Sequence, residues 1–282
     1  MDIYIIIPAH NEAAFIDKTL QSLTEQTLLP KKIMVVNDHS TDNTENILKA
    51  FAEKYSFINY INISSSEEHL PGSKVINAFH KGLERLDDNY DVLCKFDADL
   101  IFPNNYLAHI SKAFLENPKF GMAGGVCLIP HKNGWKLESL TNKDHLRGAL
   151  KAYTKECFDK INGLKNVMGW DTVDELLAKY HGFDICVSSD LTVKHLRPTG
   201  KTYHAKARYK QGEAFYKMRY GFSITCIAAL KLALKKQQPR LFIDYIKGFL
   251  ISKKNNLPFM VSPEEGKWIR AYRWKKMKQK LF

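Results

Sequence analysis

The sequence predicts an α/β protein with a mostly parallel central sheet flanked by helices, followed by a basic helical extension. Over the first hundred residues, short runs rich in Ile and Val alternate with amphipathic stretches of helical length, and polar or acidic residues follow three of the runs. Residues 205–282 hold 19 Lys and Arg against 4 Asp and Glu, whereas residues 1–204 hold 23 against 26. We therefore expect an α/β domain over 1–204 and a basic amphipathic extension over 205–282.

Four strands and three helices are expected in the first hundred residues. Strands that alternate with helices run parallel, so their carboxyl ends meet at one edge of the sheet, where α/β proteins bind ligands. The expected strands are 2–8, 32–37, 58–63 and 92–96, and the expected helices are 12–25, one starting near 40–42, and 73–86.

The rest of the chain is less regular up to residue 204 and helical after it. Residues 131–144 are polar and are expected to form a loop. Prolines divide the basic segment into short helices. The expected elements are a helix at 104–115, a strand at 121–128, a helix at 171–180, and helices at 206–219, 223–236, 241–252 and 264–280.

The composition is that of a folded protein, with 45% hydrophobic and 26% charged residues. The five cysteines show no CxxC spacing, which is typical of a reducing cytosol. The N-terminus lacks the basic region and cleavage site of a secretory signal, and no apolar run reaches the ~18 residues of a membrane span. These features predict a cytoplasmic protein.

Asp97 and Asp99 form an acidic pair directly after the fourth expected strand. Two carboxylates at this spacing suit a hard divalent cation such as Mg²⁺ or Mn²⁺. Such a cation offsets the charge that develops on a nucleoside diphosphate as its bond to a sugar breaks. A solvated acidic turn has the same pattern, so the motifs around the pair decide its meaning.

Two further motifs end the first and second expected strands, Ile5–Glu12 and Val35–Thr44. Together with Asp97–Asp99 they resemble the signatures of family 2 glycosyltransferases of the bacterial surface-polysaccharide type, in order and spacing over roughly residues 3–200 of this chain. The resemblance implies the GT-A fold. It also implies an inverting, metal-dependent enzyme that moves a sugar from a nucleotide-diphosphate sugar to a glycan or lipid-linked acceptor.

The resemblance further implies a donor site. Asp38 would contact the edge of the base, Asp97 would approach the ribose and the sugar, and Asp99 would bind the metal. Asn37 and His39 stand where the family commonly has Asp and Gly, so the base preference stays open. The implied donor-binding residues are Pro8, Ala9, Asn11, Glu12, Asp38, Lys74 and Asp97.

Cationic residues could neutralise the diphosphate. Lys74 lies at the start of the third expected helix, whose N-terminus favours phosphate, although Ser73 there could equally be an ordinary helix cap. A further strand is expected to end at His195, and Arg197 or Lys201 beyond it could also serve.

His195 closes that strand. In metal-using relatives a histidine near this place completes the metal shell, and imidazole suits Mn²⁺. A lone histidine is otherwise often structural, and that alternative stays open. The resemblance therefore implies Asp99 and His195 as ligands of Mn²⁺ or Mg²⁺.

An inverting transfer needs a carboxylate that accepts the proton of the attacking hydroxyl. In the family, an acidic pair precedes a helix that runs to a Gly-aromatic pair; counting back from Gly182–Phe183 places Asp171 at the base position. Trp170 replaces the usual glutamate before it and could stack on the acceptor sugar. Asp171 could instead be only a helix N-cap, and Asp174 or Glu175 could be the base.

The expected C-terminal helices place apolar residues on one side and Lys or Arg on the other, as in helices that lie in a membrane interface. Trp268, Tyr272 and Trp274 fit an aromatic belt there. We expect a peripheral protein on the inner face of the membrane, whose partners are a nucleotide-sugar donor, a glycan or polyprenyl-linked acceptor and an anionic membrane surface, with no nucleic acid. Alternatively, the apolar faces pack on the catalytic domain, or the cations bind nucleic acid or a phosphate-bearing lipid acceptor.

Two other functions compete with glycosyl transfer. A nucleotidyltransferase that activates a sugar phosphate would have a glycine-rich basic loop after the first strand, and Pro8–Glu12 is not such a loop. A non-enzymatic adaptor that binds membranes would give Asp97, Asp99 and Asp171 no reason to gather at strand ends.

Overall fold

The computed structural model describes residues 1–65, 73–138, 145–197 and 208–279. These residues form two compact units. The predicted boundary between residues 204 and 205 lies outside the described residues. The predicted first domain includes residues 165–180, whereas the structure groups these residues with the second unit. The first unit comprises 1–65, 74–138, 145–164 and 181–197, and the second comprises 165–180 and 208–279, with residue 73.

The first unit begins with four parallel strands joined by helices. They are β1 (Ile3–Ala9), β2 (Lys32–Asp38), β3 (Ile58–Ile63) and β4 (Val92–Phe96), with α1 (Ile16–Thr24), α2 (Thr44–Lys54) and α3 (Ser73–Leu83) between them. β1 pairs in parallel with β2 and β4, and β2 with β3. Ile3–Ile7 are fully buried, as expected of a strand covered on both faces. Every predicted strand of this region is present within one residue of its predicted ends.

α1 begins four residues later than predicted. Residues 11–15 form a turn instead, because Asn11 adopts a left-handed φ of 53° and the carbonyl of Glu12 accepts hydrogen bonds from the N–H groups of Phe15 and Ile16. Glu12 therefore lies at the carboxyl end of β1 and not within a helix.

The second half of the sheet is mixed. Its elements are β5 (Leu100–Ile101), α4 (Tyr106–Glu116), β6 (Phe120–His131), β7 (Gly134–Leu137), β8 (Leu150–Thr154), α5 (Lys155–Lys160) and β9 (Asp184–His195). The strand order is β3-β2-β1-β4-β8-β6-β9-β5, with β7 paired to β6. β8 runs antiparallel to β4 and β6, whereas β6 and β9 are parallel.

The loop predicted for 131–144 is wrong up to residue 137. Gly134 takes a positive φ of 113°, which lets the chain turn back, so that β7 forms an antiparallel hairpin with β6. Residues 139–144 lie outside the described part of the chain. The hairpin carries Glu138 back toward the sheet.

The second unit is helical in its described residues. It contains α6 (Trp170–Tyr180), α7 (Lys210–Lys217), α8 (Gly221–Lys235), α9 (Arg240–Lys254) and α10 (Pro263–Lys278). α7 and α9 approach closely at two glycines: a Cβ on Gly212 would lie 1.9 Å from the carbonyl oxygen of Tyr245, and one on Gly248 would lie 2.1 Å from that of Tyr209. Only glycine permits this helix spacing.

Aromatic residues of α10 pack inside the second unit. Trp268 stacks on Tyr272 with ring centroids 5.0 Å apart and meets Tyr180 of α6 at 5.8 Å. Both half-buried α10 rings thus have ring partners within the second unit, and Trp274 is 41% exposed. The interfacial belt stays a prediction.

Candidate active site

Three strand ends meet at one edge of the first unit. β1, β2 and β4 are neighbours and run parallel, and Ala9 is paired with Asn37 in the register of β1 and β2. Their carboxyl ends therefore carry Glu12, Asp38 and the Asp97–Asp99 segment to the same edge, as the sequence predicts.

The first two strand-end loops are joined by hydrogen bonds. The side-chain oxygen of Asn11 accepts from the backbone N–H of Thr41 at 2.8 Å, and the N–H of Asn11 donates to Oγ of Ser40 at 2.9 Å. The N–H of Glu12 donates to Oγ1 of Thr44 at 2.9 Å. These bonds fix the backbone that carries Asn11 and Glu12.

Asp38 is buried and anchors the end of β3. Its carboxylate accepts the backbone N–H of Ser65 at 2.9 Å and the hydroxyl of Ser65 at 2.6 Å, and its carbonyl oxygen lies 2.6 Å from Nδ1 of His10. Of the other implied donor residues, Pro8 is partly exposed and Ala9 is buried. The contact of Asp38 with a base edge stays a prediction.

The Asp97–Asp99 segment is held from two sides. Lys95, which is almost fully buried, forms an ion pair with Asp97. Oγ1 of Thr19 donates to the carbonyl of Ala98 at 2.8 Å and accepts the N–H of Leu100 at 3.0 Å. The two aspartates therefore project from an anchored backbone and not from a solvated turn.

β5 brings His195 to Asp99. Leu100 pairs with His195 across β5 and β9, and the N–H of Leu196 donates to the carbonyl of Asp99 at 2.9 Å. Nε2 of His195 consequently lies 3.4 Å from Oδ1 of Asp99, with both side chains buried. Burial lowers the pKa of His195, but the hydrogen bond and charge of Asp99 outweigh burial, so the pKa is raised.

Arg197 links Asp99 to Glu12. Its Nε lies 3.3 Å from Oδ2 of Asp99, and its Nη2 binds both carboxylate oxygens of Glu12. Burial raises the pKa of Glu12 to about 7, although the charge of Arg197 opposes this shift. Burial also favours a raised pKa for Asp99, but His195 and Arg197 outweigh it and lower that pKa.

The predicted metal ligands come together. The ligand atoms of Asp97, Asp99 and His195 all lie within 4.8 Å of one another. Carboxylates suit both Mg²⁺ and Mn²⁺, and imidazole suits Mn²⁺, so this donor set fits a divalent cation. Asp97, which was predicted to approach the sugar, is thus a third candidate ligand.

A second cluster, which sequence reasoning missed, also includes His195. Sγ of Cys127, the carboxylate of Glu138 and a ring nitrogen of His195 lie within 4.8 Å of one another. Glu138 is nearly fully buried and forms an ion pair with Arg147 at 2.9 Å. Nδ1 of His195 makes no hydrogen bond to the described residues. The sequence feature that could have predicted this cluster is the turn glycine Gly134, after which the chain returns beside Cys127.

Asp171 and Trp170 belong to the second unit. α6 begins at Trp170, so Asp171 lies in its first turn and the cap position falls on Gly169, which argues against the N-cap alternative. Asp171 is partly exposed, whereas Trp170, Asp174 and Glu175 are buried. Lys74, at the first turn of α3 as predicted, is partly exposed.

Comparison with known proteins identifies the family. The family model "Glycosyl transferase family 2" matches residues 4–163, more than half of the chain. The chain therefore belongs to glycosyl transferase family 2.

Two curated relatives agree with this membership. A probable glycosyltransferase, YdaM, of Bacillus subtilis is 37% identical over 98 residues, which cover 34% of this chain and 22% of YdaM. The poly-beta-1,6-N-acetyl-D-glucosamine synthase of Staphylococcus epidermidis is 26% identical over 199 residues, which cover 64% of this chain and 46% of the synthase. The chain thus spans less than half the length of either relative.

Solved structures confirm the GT-A-like fold class. Mannosyltransferase PcManGT from Pyrobaculum calidifontis, in complex with GDP-Man and Mn²⁺, superposes with a TM-score of 0.59 at 17% identity, covering 99% of this chain and 80% of that one. S. aureus TarS 1-349 in complex with UDP-GlcNAc gives 0.57 at 18% identity, covering 96% and 79%. In the described parts of this chain, no helix combines the length and apolarity needed to cross a bilayer.

Proposed function

We propose that this chain is an inverting, metal-dependent glycosyltransferase that uses a nucleotide-diphosphate sugar. The observation that carries the proposal is the cluster of Asp97, Asp99 and His195 at the ligand-binding edge of a parallel sheet. The solved structures of similar fold carry GDP-Man with Mn²⁺ or UDP-GlcNAc, which are donors of this class.

Each residue at this edge has a part in the proposal. Asp97, Asp99 and His195 would hold Mn²⁺ or Mg²⁺, which supplies positive charge against the leaving diphosphate. Arg197 adds a second positive charge beside Asp99, and Lys74 adds one at the start of α3. Pro8, Ala9, Asn11, Glu12 and Asp38 line the nucleoside side, on loops that their hydrogen bonds hold rigid.

Asp171 is proposed as the general base. Inversion requires a carboxylate that can reach the acceptor hydroxyl, and an accessible carboxylate does so more readily than a buried one. Asp171 is partly exposed, while its rivals Asp174 and Glu175 are 1% and 6% exposed. Trp170 before it is proposed to contact the acceptor sugar.

The acceptor is proposed to be a glycan or a polyprenyl-linked sugar on the cytosolic face of the membrane. The Staphylococcus epidermidis relative is a polysaccharide synthase by name, which supports a glycan acceptor. The basic C-terminal unit supports a location at an anionic membrane surface, peripheral and on the cytoplasmic side.

Thermal unfolding with nucleotides tests the proposal. We expect UDP, GDP or dTDP to raise the unfolding temperature only when Mn²⁺ is present, because the proposed site binds the diphosphate through the metal. A nucleotide at about 100 times its Kd should stabilise the folded state by about 2.7 kcal/mol. Asp99→Asn should abolish the Mn²⁺-dependent part. Hydrolysis of UDP-, GDP- and dTDP-sugars then identifies the donor. If no nucleotide stabilises the protein with Mn²⁺, the proposal is wrong.

A further inference from the structure

We propose that α8 and α9 carry a docking surface for an anionic lipid bilayer. The surface consists of large apolar side chains on the exposed sides of two helices that pack against each other, together with the lysines on the same helix faces. Its apolar members are Phe222, Ile227, Leu230 and Leu234 on α8 and Ile243, Leu250 and Ile251 on α9, each more than 40% exposed.

α8 is apolar on both of its sides. Ile227, Leu230 and Leu234 follow the three- and four-residue spacing of one helix face, with Lys231 and Lys235 beside them. The opposite side is buried, with Ala229 and Ala233 among its residues. Single exposed apolar residues are normal on a protein surface, but a continuous row of them marks an interaction site.

α9 repeats this arrangement. Ile243, Leu250 and Ile251 are exposed at helical spacing, with Lys247 and Lys254 on the same side. The opposite side is buried, where Gly248 packs on α7. Two neighbouring helices therefore each present an apolar row flanked by lysine.

The positive charge around this surface favours an anionic partner. Between residues 221 and 262 the chain has seven Lys and Arg and one acidic residue, Asp244. Asp244 is buried and pairs with Arg208 at 2.5 Å, so it does not offset the exposed cations. Apolar rows flanked by lysine match the acyl boundary and anionic headgroups of a bilayer.

A second copy of this chain is a poorer occupant. A two-fold dimer would bring the same surface of each copy together, so that Lys231, Lys235 and Lys247 would face like charges in an interface that excludes water. The bilayer satisfies both the apolar and the cationic groups, which a dimer through this face does not.

Vesicle sedimentation of the full chain tests the proposal, compared between phosphatidylglycerol–phosphatidylcholine vesicles and phosphatidylcholine alone. We expect binding to the anionic vesicles that weakens as salt rises. Leu234→Glu should weaken binding roughly tenfold or more, because it places a charge at the apolar contact. Leu115→Glu, on α4 of the first unit, is the matched control, because Leu115 is 66% exposed against 69% for Leu234, and it should bind as the unaltered chain does.

Three outcomes would overturn the proposal. They are equal binding to neutral and anionic vesicles, equal loss of binding in the two glutamate variants, and a concentration-dependent dimer in ultracentrifugation that Leu234→Glu dissociates while vesicle binding is absent. Circular dichroism of Leu234→Glu ensures that a folded protein is compared. The inference rests on the membrane location in the proposed function; because no nucleotide or sugar is present, its outcome is independent of the proposed transferase activity.

Discussion

Nε2 of His195 lies 3.4 Å from Oδ1 of Asp99, although β9 and β4 are far apart in the chain. The two-residue strand β5 produces this contact, because it follows Asp99 directly and pairs with the end of β9. A divalent cation held by Asp99 would therefore have Nε2 available as a ligand only while His195 is neutral.

We expect Mn²⁺ affinity to fall as the pH is lowered. A proton and a metal compete for Nε2, and the pKa of His195 is raised above the usual 6.5 by Asp99 in spite of burial. The loss should therefore begin at a pH above that of an ordinary histidine. Titration of Mn²⁺ by electron paramagnetic resonance between pH 6 and 8 measures it. His195→Gln should bind Mn²⁺ more weakly and with a flatter pH profile; a profile as steep as that of the unaltered protein would remove His195 from the metal site.

Glu138→Gln should lower Mn²⁺ affinity although Glu138 is no ligand in the proposed site. Its carboxylate lies within 4.8 Å of a ring nitrogen of His195. Nδ1 makes no hydrogen bond to the described residues, so it is the nitrogen left to this carboxylate once Nε2 binds the metal. Loss of such a partner typically costs 10- to 100-fold in metal affinity, so about that loss is expected in calorimetric titration. Arg147, 2.9 Å from Glu138, makes a second cation at that position unfavourable.

The double variant Glu138→Gln with His195→Gln tests whether Glu138 acts by positioning His195 or by destabilising the site in general. If Glu138 acts through His195, its substitution should have no further effect on Mn²⁺ affinity once the imidazole is gone. An additive loss in the double variant would mean that Glu138 acts independently of His195. Thermal unfolding of each variant controls for the loss of the buried ion pair with Arg147.

Arg197→Gln should separate metal binding from nucleotide binding. Arg197 is the ion-pair partner of both Asp99 and Glu12, so its removal leaves Asp99 freer and more attractive to a cation. We expect Mn²⁺ affinity without nucleotide to be unchanged or higher, and nucleotide affinity with Mn²⁺ to fall about tenfold. If the affinities for Mn²⁺ and for nucleotide fall together, Arg197 instead maintains the geometry of the whole site.

Much of the first unit could be predicted from local sequence. β1, β2 and β4 are short, hydrophobic and almost fully buried, and β3 is a short run whose exposed residues are Asn59 and Asn62, so the limits of all four follow from local hydrophobicity. Their parallel order places Glu12, Asp38 and Asp97 at one edge. The start of α1 could not be predicted, because the left-handed turn at Asn11 depends on hydrogen bonds to residues of the next loop.

Long-range pairing explains the other differences. Glu138 and Cys127 reach His195 through the β6–β7 hairpin and the pairing of β6 with β9, which no local pattern reveals. The membership of α6 in the second unit likewise depends on contacts with distant helices, such as that between Tyr180 and Trp268. The pairing of His195 with Asp99 was predicted only through the family resemblance.

Gly212→Ala should destabilise the second unit. A Cβ at this position would lie 1.9 Å from the carbonyl oxygen of Tyr245, and backbone cannot yield as a flexible side chain does. Overpacking of this kind costs roughly 1–3 kcal/mol, to be measured as the change in the free energy of unfolding in urea. Ser223→Ala, on the exposed side of α8, adds no contact and should change stability by less than about 0.5 kcal/mol. Equal stability of the two variants would show that α7 and α9 are less tightly packed than in the structure.

Asp171→Asn should abolish sugar transfer while nucleotide binding with Mn²⁺ is retained. The substitution keeps the size of the side chain but replaces one carboxylate oxygen with an amide NH2, which donates and cannot accept the proton. A loss of about 10²-fold or more in kcat with little change in donor Kd is therefore expected of a general base. Glu175→Gln tests the rival on the same helix. Because Glu175 is only 6% exposed, its substitution should affect stability more than kcat. If Asp171→Asn keeps its kcat, or loses nucleotide binding together with transfer, another carboxylate is the base.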